Sequence, residues 1–155
     1  LSGTDLLKLA VVERHHGTGN IGLGLLEGYG LKNGAIALTI AHDSHNIIVL
    51  GDNNADMAAA VAELKRIGGG MAIAEGGKAQ SLPLDIAGLM SSLPAEEYIA
   101  QSEKLLEKAY SMGVSRDVEA FMSLSFLALL VIPSLKLSDR GLFDADKFEL
   151  CSIDA

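Results

Sequence analysis

The chain has 155 residues, 49% apolar and 21% charged, with 12 Lys and Arg against 20 Asp and Glu and a formal charge of −8. This balance describes a globular chain and not a disordered one, long enough to form one domain over 1–155 that buries roughly two thirds of its unfolded surface. An acidic chain with no basic run is a poor partner for nucleic acid or anionic membrane, no stretch is long enough to cross a bilayer, and one cysteine, Cys151, excludes an internal disulfide and fits the cytoplasm.

Asp5 to Glu13 predicts a first strand. It follows closely on Leu1-Ser2-Gly3, which lacks an initiator Met, as expected of a piece of a longer protein. Next comes the glycine-rich run Arg14-His15-His16-Gly17-Thr18-Gly19-Asn20-Ile21-Gly22-Leu23-Gly24, then a short segment from Leu25 to Gly30. Gly17, Gly19 and Gly22 formally spell the dinucleotide-binding G-x-G-x-x-G, with Asp43 near the place of a ribose-binding acid. The reading fails because the helix that should receive a pyrophosphate would contain Gly22, Gly24 and Gly28, each costing about 1 kcal/mol of helix propensity. A structural turn, or a loop whose backbone approaches a ligand, fits better.

The run Ile36 to Leu50 is the centre of the chain. Two uncharged, β-branched stretches flank the polar knot His42-Asp43-Ser44-His45-Asn46, the pattern of a hairpin buried on both faces with titratable groups at one end. Alternation would set His42 in one row with Ile36, Leu38 and Ile40. Asn54 to Ile67 predicts a helix, with Asn54 as cap, Met57, Val61 and Leu64 on one face and glycines 68–70 at its end. Met71 to Glu75 and Lys78 to Leu84 then form a hairpin about Gly76-Gly77, and Pro83 marks an edge strand.

Ala87 to Ser92 is a loop. Pro94 opens a second helix with Glu96 and Glu97 in its first turn and Tyr98, Ser102, Leu105, Ala109 and Met112 on one face. Asp117 to Leu129 predicts a third, more buried helix stopped by Pro133, and the apolar run Phe126 to Ile132 is of core size. Leu135 to Ile153 reads as a turn with two short strands. The sum is an α+β domain with a mostly antiparallel sheet built from hairpins and about three principal helices.

The chemistry is incomplete. His42 and His45 are three apart and His15 and His16 follow an earlier strand, but no H-E-x-x-H, H-x-H or cysteine pair is present to hold a metal. Ser44 lies between Asp43 and His45, yet sequence neighbours rarely build a triad. Asp43, Ser44 and Asn46 are equally suited to forming turns.

Several long strings carry a family resemblance: Glu13-Arg14-His15 with Gly19-Asn20-Ile21-Gly22-Leu23-Gly24, Ala41-His42-Asp43-Ser44-His45-Asn46-Ile47-Ile48-Val49, Leu82-Pro83-Leu84-Asp85-Ile86-Ala87-Gly88-Leu89-Met90-Ser91, and Asp139-Arg140-Gly141-Leu142. Over nearly its whole length the chain resembles the C-terminal domain of bacterial-type adenine deaminases of the amidohydrolase superfamily. The resemblance implies a cytoplasmic hydrolase that converts adenine and water to hypoxanthine and ammonia in purine salvage. It also implies a metal-dependent (β/α)₈ barrel, with manganese or iron, elsewhere in the same polypeptide. No catalytic or metal-binding residue is carried over to this chain. Leu130 stands where the family string has proline.

The expectation is therefore that Arg14, His15, Asn20, His42, Asp43, Ser44, His45 and Asn46 shape the barrel's active-site mouth or form a polar network, and that the isolated chain is inactive. The partners are the barrel, adenine as the parent's substrate, and further copies in a homo-oligomer. The alternatives are a purely structural or oligomerisation domain, or a small-molecule module for a purine or dinucleotide.

Overall fold

The structure, a computed structural model, describes residues 5–153; Leu1-Ser2-Gly3 lies outside them. Six antiparallel strands form the main sheet: β1 (Leu6–Val12), β2 (Ile21–Glu27), β3 (Ala35–Leu38), β4 (Ile47–Gly51), β5 (Gly70–Glu75) and β6 (Lys78–Pro83), in the order β2-β1-β4-β3-β5-β6. A small second sheet contains β7 (Leu135–Ser138), β8 (Gly141–Asp144) and β9 (Glu149–Cys151). The expected α+β class and hairpin architecture hold. The tail supplies three strands instead of two, because Glu149–Cys151 pairs antiparallel with β8.

Burial of β3 and β4 at every position explains why they read as uncharged runs. On one face, α1 (Asn54–Ile67) packs against Ala10, Ala35, Ala37, Ala72 and Ala74, small residues that let a helix lie close. On the other face Leu9, Val11, Ile36, Leu38, Leu50 and Ile73 meet α2 (Ala95–Ser111) and the segment around Phe121. α1 is capped one residue earlier than the sequence suggests: the Asn53 side chain accepts the Asp56 N–H at 2.9 Å, and Gly68 closes the helix at φ 81°. β6 lies at the sheet edge, as Pro83 requires.

The third helix is much shorter than expected. α3 covers Met122–Ser125, followed by one 3₁₀ turn over Phe126–Ala128. The Glu119 carboxylate takes the N–H groups of Phe121 and Met122, so the helix starts there, and Leu129 is already extended. The apolar run Phe126 to Ile132 is only partly core: Ala128 is buried and Leu127 packs against the core. Phe126, Val131 and Ile132 are 47%, 70% and 39% exposed.

The glycine-rich run is a loop up to Asn20 and a strand from Ile21. Ile21, Leu23 and Leu25 alternate with Gly22 and Gly24 in β2, which pairs antiparallel with β1 from Val12↔Ile21 to Leu6↔Glu27. No helix follows β1, so the dinucleotide motif has no structural counterpart. A Cβ on Gly22 would stand 1.8 Å from the Ser138 carbonyl oxygen, so glycine is what lets the β7–β8 hairpin press onto β2.

Candidate functional site

Two strand pairings gather the site. β1 and β4 run antiparallel with Val12 beside Ile47, which sets the loop 13–20 next to the loop 39–46 at one end of the sheet. The β7–β8 turn reaches the same end, where Asn20 Nδ2 donates to Asp139 at 3.3 Å. All eight residues singled out in the sequence therefore lie in neighbouring loops, although they do not all touch.

Arg14 is the tie between them. Its backbone N–H donates to Asn46 Oδ1 at 3.3 Å and its Nε to the His45 carbonyl at 2.7 Å. The guanidinium also reaches the carbonyls of Gly68 at 3.5 Å and Ala87 at 2.8 Å, so one side chain joins three loops. Partial burial lowers its pKa, but an arginine stays charged in any protein environment. Glu13 orders the β1–β2 turn. Its carboxylate accepts the N–H groups of His15, His16 and Thr18 and the Thr18 hydroxyl, and these bonds, that to the Thr18 N–H first, hold its pKa down to about 2.

The knot is compact. The His45 N–H donates to the Ala41 carbonyl at 2.7 Å, and His45 takes a left-handed φ of 53°, a conformation unusual for a residue with a side chain. The His42 and His45 rings lie 5.4 Å apart edge to face, and His42 sits 5.7 Å from Phe126. Nδ1 of His45 is buried and has no hydrogen-bond partner among the described residues. Burial first, then the neighbouring His42 and Arg14, lowers the pKa of His45, so its ring is neutral at pH 7. His15 Nε2 lies 2.8 Å from the Ser44 carbonyl. β3 ends at Leu38, and Thr39 donates its N–H to Gly70, so Ile40 and His42 leave the strand row in which alternation would have set them.

The histidines do not form a metal site. Among the described residues no three His, Cys, Asp or Glu side chains stand where they could hold one ion. A cavity of about 330 Å³ opens beside the knot, lined by Asp43, Ser44, Val131, Asp139, Arg140 and Phe143 among others. Sequence reasoning missed five contributors. Val131 and Phe126 were hidden in a run that looked like core, and Asp139 and Arg140 in a turn distant in sequence. Thr39 was missed as well: its buried hydroxyl donates to the Gly88 carbonyl at 2.5 Å and accepts the Gly70 N–H at 2.9 Å. Only a fold with the 39, 69 and 88 loops adjacent makes it visible.

Residues 2–149 match the family model described as the adenine deaminase C-terminal domain. The chain is 57% identical over 153 residues to an adenine deaminase of Nitratidesulfovibrio vulgaris, covering 97% of this chain and 27% of that protein. It is 55% identical over 152 residues to the adenine deaminase of Desulfatibacillum aliphaticivorans, covering 97% and 26%. It is 50% identical over 144 residues to that of Clostridium acetobutylicum, covering 92% and 25%. The chain thus spans about a quarter of the length of these curated relatives. Among the described residues no helix is long and apolar enough to cross a membrane. With 148 of its residues inside that one model and the strings around His42 and Arg14 folded into one cluster, the chain belongs to the adenine deaminase C-terminal domain family.

Proposed function

We propose that this chain serves as the C-terminal portion of a cytoplasmic adenine deaminase, which hydrolyses adenine to hypoxanthine and ammonia, and that its 13–20 and 39–46 loops face the active-site mouth of that enzyme. The relatives' names and the family match support the parent activity. The observation that carries the placement is the packing of His42 against His45 and exposed Phe126, next to a cavity whose lining includes Asp43, Ser44 and exposed Val131. Apolar side chains at this exposure beside a histidine pair suit a surface that meets a planar, polar heterocycle or the rim of the pocket that holds one.

In this reading each residue has a part. Arg14, committed to backbone carbonyls, positions the loops and is not free to bind substrate. His45, whose ring is neutral, packs edge to face against His42. Asp43 and Ser44 line the cavity. The iron or manganese that the resemblance assigns to the parent enzyme has no fitting donor set among the described residues, so no step here runs through a metal. This chain alone is not expected to deaminate adenine.

The rival is a structural role, favoured by Arg14 and Thr39, whose bonds satisfy buried backbone groups as a scaffold would. Replacement of His42 and His45 by alanine in the full-length enzyme separates the two. The mouth reading expects kcat/KM for adenine to fall roughly tenfold or more with an unchanged melting temperature. Loss of folding, or turnover left intact, supports the scaffold instead.

A further inference from the structure

The α1 side of the main sheet is not covered from edge to edge. α1 lies over β3, β4, β5 and β6. Beyond it, the pairing of Val12 with Ile21, Ala10 with Leu23 and Lys8 with Leu25 puts Ile21, Leu23 and Leu25 on the same face of β2. Their exposures are 55%, 64% and 51%. The alternate residues Gly22 and Gly24 point the other way, beneath the β7–β8 hairpin. β2 is also a sheet edge, hydrogen-bonded to β1 alone. It carries no charge from Ile21 to Leu26. An apolar row on an unpaired edge is a template for unwanted association unless something covers it. No charge, proline or bulge interrupts it from Ile21 to Leu26, and Glu27, at the end of β2, is the one charge of the strand.

We infer that Ile21, Leu23 and Leu25 are the seat of an intramolecular contact, covered in the whole enzyme by an apolar face of its remaining polypeptide. The inference rests on the reading of this chain as one portion of a longer adenine deaminase. Three arguments favour that occupant. The curated relatives carry about three quarters of their length outside the match, so a large partner is tethered to a domain of this kind. Three half-exposed side chains fall far short of the ~800 Å² per partner that a stable complex of separate proteins buries. Tethering removes that requirement, because a linked partner is present at an effective concentration in the millimolar range. Lastly, Ile21 directly follows Asn20, so the row continues from the loop assigned to the active-site mouth along the sheet edge.

The test is thiol labelling in the full-length protein. Leu23→Cys replaces a side chain exposed in this domain, and Glu103→Cys, on the exposed face of α2, is the control. Maleimide modification is read at each position by peptide mass. Labelling at residue 23 is expected to be about tenfold slower or more than at residue 103, whatever the protein concentration, as for a site reached only by local opening. Equal rates overturn the proposal. So does slow labelling that accelerates on dilution, which would mean that a second copy is the occupant. Hydrogen exchange of the β2 amides in the unsubstituted protein gives the same reading should the Leu23 variant misfold: protection of the edge-facing amides is expected, and free exchange overturns it. Turnover of the His42 and His45 variants tests the mouth assignment separately, so either reading can fail while the other stands.

Discussion

Glu13 shows how much one surface side chain can organise. Its folded pKa of about 2 lies below the ordinary 4.5, so the stability it contributes is present above pH 4.5 and is lost as the pH falls towards 2. Protection of the His15, His16 and Thr18 amides, taken against the exchange rate of an unstructured chain at the same pH, is therefore expected to be high above pH 4.5 and to fall across that window. Glu13→Gln, which keeps the shape and removes the charge, should show low protection at every pH. Because the β1–β2 turn is held from within by this carboxylate, its disorder on acidification should leave the sheet intact, as near-constant far-ultraviolet circular dichroism would show. The sequence marked Glu13 only as the end of a strand. What it omits is that a chain turning back on itself after β1 aims three N–H groups at one acid. Arg14, His15 and the knot were legible because a dense polar group between uncharged runs is visible in one dimension. Thr39 was not, since its partners come from two other loops.

At the level of elements, β2 and α3 are where pattern and structure part. Strand periodicity in β2 is masked because two alternate positions, Gly22 and Gly24, are glycine, and glycine weakens both helix and strand propensity. The reason for those glycines lies far along the chain, in the β7–β8 hairpin. Gly22→Ala is expected to cost about 3 kcal/mol or more in chemical denaturation, because its Cβ would meet a backbone carbonyl that cannot rotate away. Gly24→Ala places its Cβ 3.5 Å from Leu137, an ordinary contact, and should change stability by less than about 1 kcal/mol. A similar loss in both variants would show that strand propensity, and not the docked hairpin, sets the requirement. For α3 the difficulty is opposite: the residues from 117 to 129 have good helical spacing, but the Glu119 side chain offers the backbone a competing set of bonds. The β3–β4 and β5–β6 hairpins and the first two helices were legible from their apolar runs, their helical spacing and the cap and proline signals at the helix starts.

For the whole molecule, the sheet divides two unlike interiors. Alanines under α1 make a thin, close layer, whereas leucines, isoleucines and Phe121 fill a deeper one beneath α2 and the tail. Phe121 is among the largest fully buried side chains and stands where the 3₁₀ segment, α2 and the sheet meet. Phe121→Ala should lower unfolding free energy by about 3–5 kcal/mol, since the rigid sheet cannot collapse into the space left. A much smaller loss would mean that the short segment around α3 settles into the gap. Composition cannot show this asymmetry, which depends on which strand face each helix takes.

The bonds made by Arg14 have a bearing on how the surrounding sequence is free to change. The guanidinium engages the carbonyl oxygens of His45, Gly68 and Ala87, groups that every amino acid possesses. Side chains on these loops can therefore be exchanged without loosening the joint, provided that the path of the main chain is kept. A lysine in its place would present a single ammonium and serve one loop at a time. An ancestral domain of this kind could thus revise the chemistry displayed at its rim, residue by residue, while a single arginine kept the frame.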